Sequence, residues 1–448
     1  MRGPFSHKAP GRIPRPRQHP DRSEPLNSTA FTALFVVALA ASLAVRVWLS
    51  RRQVAHVLAH RDAVPTAFAH SVGLAAHQKA ADYTVAKQRL GTLNTLIDAA
   101  LLLLMTLGGG LALLIGWTET IDVSPLWRDV LLFALTGILY GIVGLPFSWW
   151  QTFRIEERFG FNRMTLRLWL TDMAKGLAVA VALGLPLLVL VLWLMRTAGA
   201  TWWLWAWGAW MTFQILILVL YPTLIAPLFN KFAPLQEGEL KTQLEALARQ
   251  CGFAASGVFV VDGSKRSAHS NAYFAGLGRS RRIVLFDTLI AQLSVAELAA
   301  VLAHEIGHYK RKHILKMALL SSALTLLAAY LLSVLLYWDP LYQAFWMGTS
   351  VGNEPKGLIV LALIAAHFTF WLEPLVVRLS RKHEYEADEY AAAQAGAAPV
   401  ETALLKIYAE NLSTPLPHPL YSACHYSHPT PVERIEAIRR KCEQSKGL

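Results

Sequence analysis

Cysteine and charge are both scarce in this chain. Its 448 residues include 3 Cys (Cys251, Cys424 and Cys442), with no CxxC spacing among them. That excludes a disulfide scaffold and a thiolate zinc finger. The three isolated thiols read as small buried or interfacial side chains. Charged residues make up 16%, against about 25% in ordinary soluble proteins. So little charge excludes a disordered chain and a coiled coil. It also excludes a nucleic-acid-binding domain, despite a formal net charge of +12.

What the chain has instead is apolar length. Hydrophobic residues reach 54%, with 15 Trp, and the mean hydropathy is +0.37. A bilayer crossing takes about 20 apolar residues. Seven stretches meet that length, near 30–49, 95–116, 127–149, 174–195, 203–228, 315–337 and 357–378. The first is too long for a cleaved signal peptide, contains Arg46 and lacks a clean small-x-small cleavage site. Residues 1–28, rich in Pro, Arg and His, read as a disordered basic tail. The predicted organisation is therefore a tail (1–28), spans one to five (29–228), a first soluble piece (229–314), spans six and seven (315–378) and a second soluble piece (379–448).

Lys and Arg set the expected orientation. With the N-terminus outside, most of the 42 basic residues fall in inside segments. The tail is the dissenter. Two spans separate the two soluble pieces, so both lie on the same side and can build one site. Span count alone also fits a transporter, but no repeat and no matched pair of broken helices supports one.

Residues 301–310 read VLAHEIGHYK. Chance alone gives roughly 0.02 such HExxH matches in a chain of this composition. Ser294 and Glu297 form a capping box ahead of it, and Leu298, Val301, Leu302 and Ile306 carry the helical period. On a helix, His304 and His308 share one face and can reach one Zn²⁺. Glu305 then faces water rather than metal. A catalytic zinc needs a third protein ligand. The helical stretch 380–396, SRKHEYEADEYAAAQAG, offers Glu384 as that ligand. Asp388, one turn on, can hold the second N–H of a ligating His. His383 and Glu386 read as pointing elsewhere, and Glu389 as a less favoured carboxylate. A structural zinc site would need a fourth ligand, such as His269 or His428. The residue types specify peptide hydrolysis by activated water, with Glu305 as the base.

Three β-like runs, 258–263, 271–276 and 281–287, precede the motif. An extended peptide can pair with the edge of such a sheet.

The chain resembles the type I CaaX prenyl endopeptidases, seven-span membrane zinc metalloproteases. The likeness spans roughly residues 65–440. It rests on FRIEERFGFNRMT (153–165), HSNAYFAGLGRSRRIVLFDTLI (269–290), HEIGH (304–308), SRKHEYEAD (380–388) and HYSHPTPVERIEAI (425–438). It implies a mostly helical membrane protein, with seven tilted spans forming a barrel around a water-filled chamber. A mainly helical zinc domain with a small sheet closes that barrel. Asp98, His367 and Glu373 are candidates for the chamber lining. The likeness implies His304, His308 and Glu384 as zinc ligands and Glu305 as catalytic base. It places His428 and Arg434 close to the metal: His428 as a donor to the developing oxyanion, Arg434 as a group that orients Glu384 or binds substrate. The strand from His269 to Gly276 becomes the substrate edge, with Asn271, Ala272 and Tyr273 binding substrate. Glu156 and Glu157 read as structural partners of nearby basic residues.

The implied substrate is a peptide or protein, prenylated at a C-terminal CaaX, taken at the lipid bilayer. Heavy use of Ala, Arg, Leu and Trp suggests a GC-rich bacterium, which makes the inner membrane the expected location, with the zinc site on its cytoplasmic side. Bacteria generally do not farnesylate proteins. Other membrane-associated peptides are therefore the alternative substrates, as for the smaller quality-control membrane proteases of the HtpX type. A non-enzymatic zinc-stabilised scaffold is the remaining alternative.

Overall fold

The computed structural model describes residues 27–68, 72–253, 256–276 and 282–446. Nearly all of the predicted tail and residues 277–281 of the 269–290 stretch lie outside them.

Long apolar helices appear at each of the seven expected places. α1 is Ser28–Ala59, started by Asn27, whose Oδ1 accepts from the Ala30 amide at 2.9 Å. α4 is Pro125–Phe159, α5 Leu166–Thr197, α6 Gly199–Phe229, α9 His313–Leu335 and α10 Glu354–Ala395. The second expected span is broken. α2 (Leu74–Met105) and α3 (Gly110–Glu119) meet at an angle of 52°. The glycines explain the break. Gly109 has φ +75°, and a Cβ on Gly108 would lie 2.7 Å from the Leu104 carbonyl oxygen. Counting that bent pair as one crossing, the described residues provide seven candidate spans.

Of the most apolar window of each unbent span, 0 to 28% is buried. Most of their apolar surface is therefore left uncovered by protein. A compact apolar plug closes one end, where Phe31 and Phe35 of α1 pack with Leu102, Tyr342, Phe345 and Val360. Of the candidate lining residues, His367 is hydrogen-bonded to Ser42 at 2.9 Å and Glu373 to His425 at 3.0 Å, while Asp98 accepts from Asn94.

The soluble part is built from both predicted pieces around one core. Leu244 of α7 (Glu239–Gln250), Ile283 and Leu285 of the sheet, and Leu298 and Ile306 of α8 (Val295–Lys310) pack with later residues. Those are Ala391 of α10, Ala403 of α11 (Ala397–Glu410) and Ile435 of α12 (Pro431–Lys446). The four-stranded sheet runs β1 (Phe232–Pro234), β2 (Val258–Val261), β4 (Arg282–Phe286), β3 (Ala272–Ala275). β2 and β4 are parallel; β1 and β3 are antiparallel to their neighbours. β3 is thus an edge strand. β1 was not expected, since Phe232-Ala-Pro carries no strand period.

Both helices that bear the candidate ligands continue into spans. α8 is separated from α9 by Arg311 and Lys312, the latter with φ 57°. α10 runs from the seventh span to Ala395, interrupted only by a 3₁₀ turn at Phe370–Leu372.

Candidate metal centre

α8 carries His304 and His308 on one face. Its start is fixed by the capping box: the Glu297 amide donates to Ser294 Oγ, and Glu297 Oε2 accepts from the Ser294 amide at 2.8 Å. α10 crosses α8 at Gly307. A Cβ there would sit 3.1 Å from Ala387 Cα and its carbonyl oxygen. The bare glycine lets the backbones approach, and this brings Glu384 against the two imidazoles.

His304 Nε2 and His308 Nε2 lie 3.1 Å apart. Glu384 Oε2 is 3.4 Å from the first and Oε1 3.3 Å from the second. Ligand atoms of all three residues fall within 4.8 Å of one another. Glu384 Oε2 is buried without a hydrogen bond. Such an orphaned oxygen, on a carboxylate whose two oxygens face two imidazole nitrogens, fits a cation, and two His with one Glu is the donor set of an open catalytic site. Among the described residues this cluster stops at three. His269 is tied elsewhere, to Glu156 and Asn411.

Each imidazole is also held from behind. Asp388 Oδ1 accepts from His304 Nδ1 at 2.9 Å. Arg434 donates to both Asp388 oxygens, at 2.7 and 2.6 Å, and its Nη1 lies 3.7 Å from Glu384 Oε2. Burial opposes charge on His304, but Asp388 and Glu384 outweigh it and hold its pKa up at about 9. His308 is held by a residue the sequence reading passed over. Its Nδ1 is 3.1 Å from His313 Nδ1, and His313 Nε2 donates to Glu386 Oε2 at 2.9 Å. With Nε2 kept for a metal, His308 Nδ1–H donates to His313, and His313 passes its own proton toward Glu386. Glu386 does point away from the ligands, as expected, yet it steadies one of them through His313. His383 stacks on His313 at 4.0 Å, and Glu389 pairs with Lys441.

Glu305 lines the same cavity of about 760 Å³ as His304, Glu384, Asp388, His428 and Arg434. Burial pushes the Glu305 carboxyl up, and Glu384 adds to this, while His304, His308 and Arg434 oppose it. His428 stands at the rim with Nε2 3.4 Å from Glu384 Oε1.

Asn271 and Ala272 line this cavity too; Tyr273 does not. Within β3, Tyr273 stands on the face opposite Ala272, and its ring meets Phe286 edge-on. The Asn271 side chain accepts from the Ala272 amide at 2.8 Å. Asn411 fixes the base of the strand, its Oδ1 accepting from the Ser270 amide at 3.1 Å. No sequence signal marked Asn411. Glu156 accepts from Tyr83 at 2.7 Å and bonds His269 rather than an Arg or Lys, and Glu157 accepts from Asn162.

A candidate metal-ligand triad with a carboxylate beside it, on helices continuous with membrane spans, fits a membrane metallopeptidase. The chain belongs to peptidase family M48: residues 234–441 match that family's model, and residues 53–231 match the "CAAX prenyl protease N-terminal, five membrane helices" model. It is 40% identical to "CAAX prenyl protease 1" of Saccharomyces cerevisiae over 339 residues, covering 72% of this chain and 75% of that protein. It is 32% identical to the "CAAX prenyl protease 1 homolog" of Homo sapiens over 347 residues, 69% and 73% of the two chains. The crystal structure of S. mikatae Ste24p superposes with a TM-score of 0.84 at 31% identity, covering 91% of this chain and 99% of that one.

Proposed function

We propose that the chain is a zinc endopeptidase that trims the C-termini of CaaX-type, membrane-associated peptides. The observation that carries this reading is the convergence of His304, His308, Glu384 and Glu305 in one cavity that β3 also borders. His304, His308 and Glu384 would hold the zinc. When bound, zinc supplies Lewis acidity, polarising the scissile carbonyl and acidifying water. Glu305 accepts the proton of the attacking water and returns it to the leaving amine; its raised pKa suits both transfers. The substrate backbone pairs with the free edge of β3 at Asn271 and Ala272. His428 donates to the developing oxyanion. Arg434 and Asp388 orient Glu384 and His304. The basic inside segments support an N-terminus outside and a site on the cytoplasmic face, in a bacterium that of the inner membrane.

The test uses detergent-purified protein with a farnesylated and a bare CaaX peptide, read by mass spectrometry beside Glu305→Gln. Loss of the last three residues from the farnesylated peptide alone supports lipid-dependent CaaX cleavage. Equal cleavage of both supports general membrane peptide hydrolysis instead. Cleavage by the Glu305→Gln protein at the parent rate would overturn the assigned chemistry.

A further inference from the structure

A second cavity, of about 790 Å³, lies between α2 and α4. That falls within the range of about 300–1,000 Å³ typical of ligand sites. Apart from three arginines its walls are apolar, with Leu90 and Leu93 on α2 and Phe147 and Trp150 on α4. The arginines are Arg89, Arg154 and Arg158.

This cavity is not the metal cavity. Tyr83, Thr84, Lys87 and Gln88 of α2 line the metal cavity, while Ala86, Arg89, Leu90 and Leu93 line the second. At 3.6 residues per turn those two sets lie on opposite faces of α2. The second cavity therefore opens away from the peptidase site. Leu93 and Trp150 at its wall are 51% exposed, as lipid-facing side chains are.

Three arginines on one apolar wall concentrate positive charge there. Arg61, Arg266, Arg381 and Arg434 each hold a carboxylate within 2.8 Å. Arg89, Arg154 and Arg158 are exposed, and among the described residues none has a carboxylate oxygen within 4.0 Å, although Arg158 acts on Asp82 at longer range. Arg154 lies over Trp149 at 5.6 Å and Arg158 over Phe159 at 5.4 Å. Rings against the guanidinium faces leave the N–H edges free for a phosphate. A π-helical turn, Gln151–Glu156, shapes the wall; such turns recur at functional sites.

We propose that this cavity binds an anionic phospholipid. The headgroup phosphate sits among Arg89, Arg154 and Arg158, and an acyl chain lies along Leu90, Leu93, Phe147 and Trp150. A zwitterionic lipid brings its own cation to the arginines and is disfavoured there. The bound lipid also braces the π-turn, whose last residue, Glu156, accepts from Tyr83 and bonds His269 in the metal-cavity wall. The inference rests on membrane embedding and not on the peptidase assignment.

The experiment places the full chain in nanodiscs and titrates phosphatidylglycerol against phosphatidylcholine, with bound lipid counted by native mass spectrometry. The parent protein is expected to retain phosphatidylglycerol selectively. The Arg89→Gln/Arg154→Gln/Arg158→Gln protein is expected to bind it at least roughly tenfold more weakly, with metal content unchanged. Leu93→Trp, which fills the cavity and spares the arginines, is expected to lose the lipid as well. Equal retention of the two lipids by the parent overturns the proposal. So does unchanged phosphatidylglycerol binding in either variant.

Discussion

Arg434 grips Asp388 through two hydrogen bonds, and the Asp388 oxygen that receives the shorter one, at 2.6 Å, also accepts from His304. One buried carboxylate thus fixes the tautomer of a proposed ligand while its charge is balanced by a buried guanidinium. Removing one partner leaves the other charge uncompensated. Arg434→Met is expected to destabilise the protein by about 3–5 kcal/mol. Asp388→Asn is expected to weaken metal affinity by about 10- to 100-fold. Thermal unfolding in detergent and zinc competition against a chelator would check the two outcomes separately.

His308 has its own support, and that support gives a different forecast. His313→Phe keeps the ring volume and removes the hydrogen bonds to His308 and Glu386. Metal affinity should fall by about tenfold or more, while Glu386→Gln, which still accepts a hydrogen bond, should fall less. An unchanged chelator titration for His313→Phe would show that His308 needs no such support.

The crossing at Gly307 sets how close α10 comes. Gly307→Val demands space where Ala387 backbone atoms already lie 3.1 Å from the added Cβ. The helices must part, and overpacking of this kind costs about 1–3 kcal/mol. Metal content after purification should fall sharply, and Gly307→Ala should give an intermediate value.

Glu297 links the start of α8 to α11. Its carboxylate accepts from the Ser294 amide and from Lys406 Nζ, each at 2.8 Å. Burial pushes its pKa up, but Lys406 and Ser294 outweigh burial and hold it below the ordinary value. A depressed folded pKa gives stability that is complete above the unfolded value, near 4.3, and lost as pH falls through the folded one. Glu297→Ala should cost about 1–2 kcal/mol at pH 7. The Tm gap to the parent protein should close as the pH is lowered through the acid range.

Local periodicity made much of this molecule legible. The nearness of His304, His308 and Glu384 was readable, because four residues make one turn and a catalytic site calls for a third donor. Span positions followed from apolar length. The break in the second span was written in Gly108 and Gly109, but apolar length counts residues and ignores φ. Tyr273 was grouped with Asn271 and Ala272 as substrate-binding, and within β3 it faces away from Ala272. The His313–Glu386 bond joins residues 73 apart in sequence, and Asn411 meets Ser270 across 141. Such pairings depend on how helices cross, which no local pattern encodes.

α8 leads into the sixth span after two residues, and α10 carries the seventh span, through one 3₁₀ turn, on to Glu384 and Asp388. The two halves of the proposed metal site are therefore the ends of two membrane rods rather than parts of a detachable head. No single cut in the chain frees the ligand set from the bilayer. Bilayer thickness and tilt, which set how two such rods lean, become geometric inputs to the distance between His304 and Glu384.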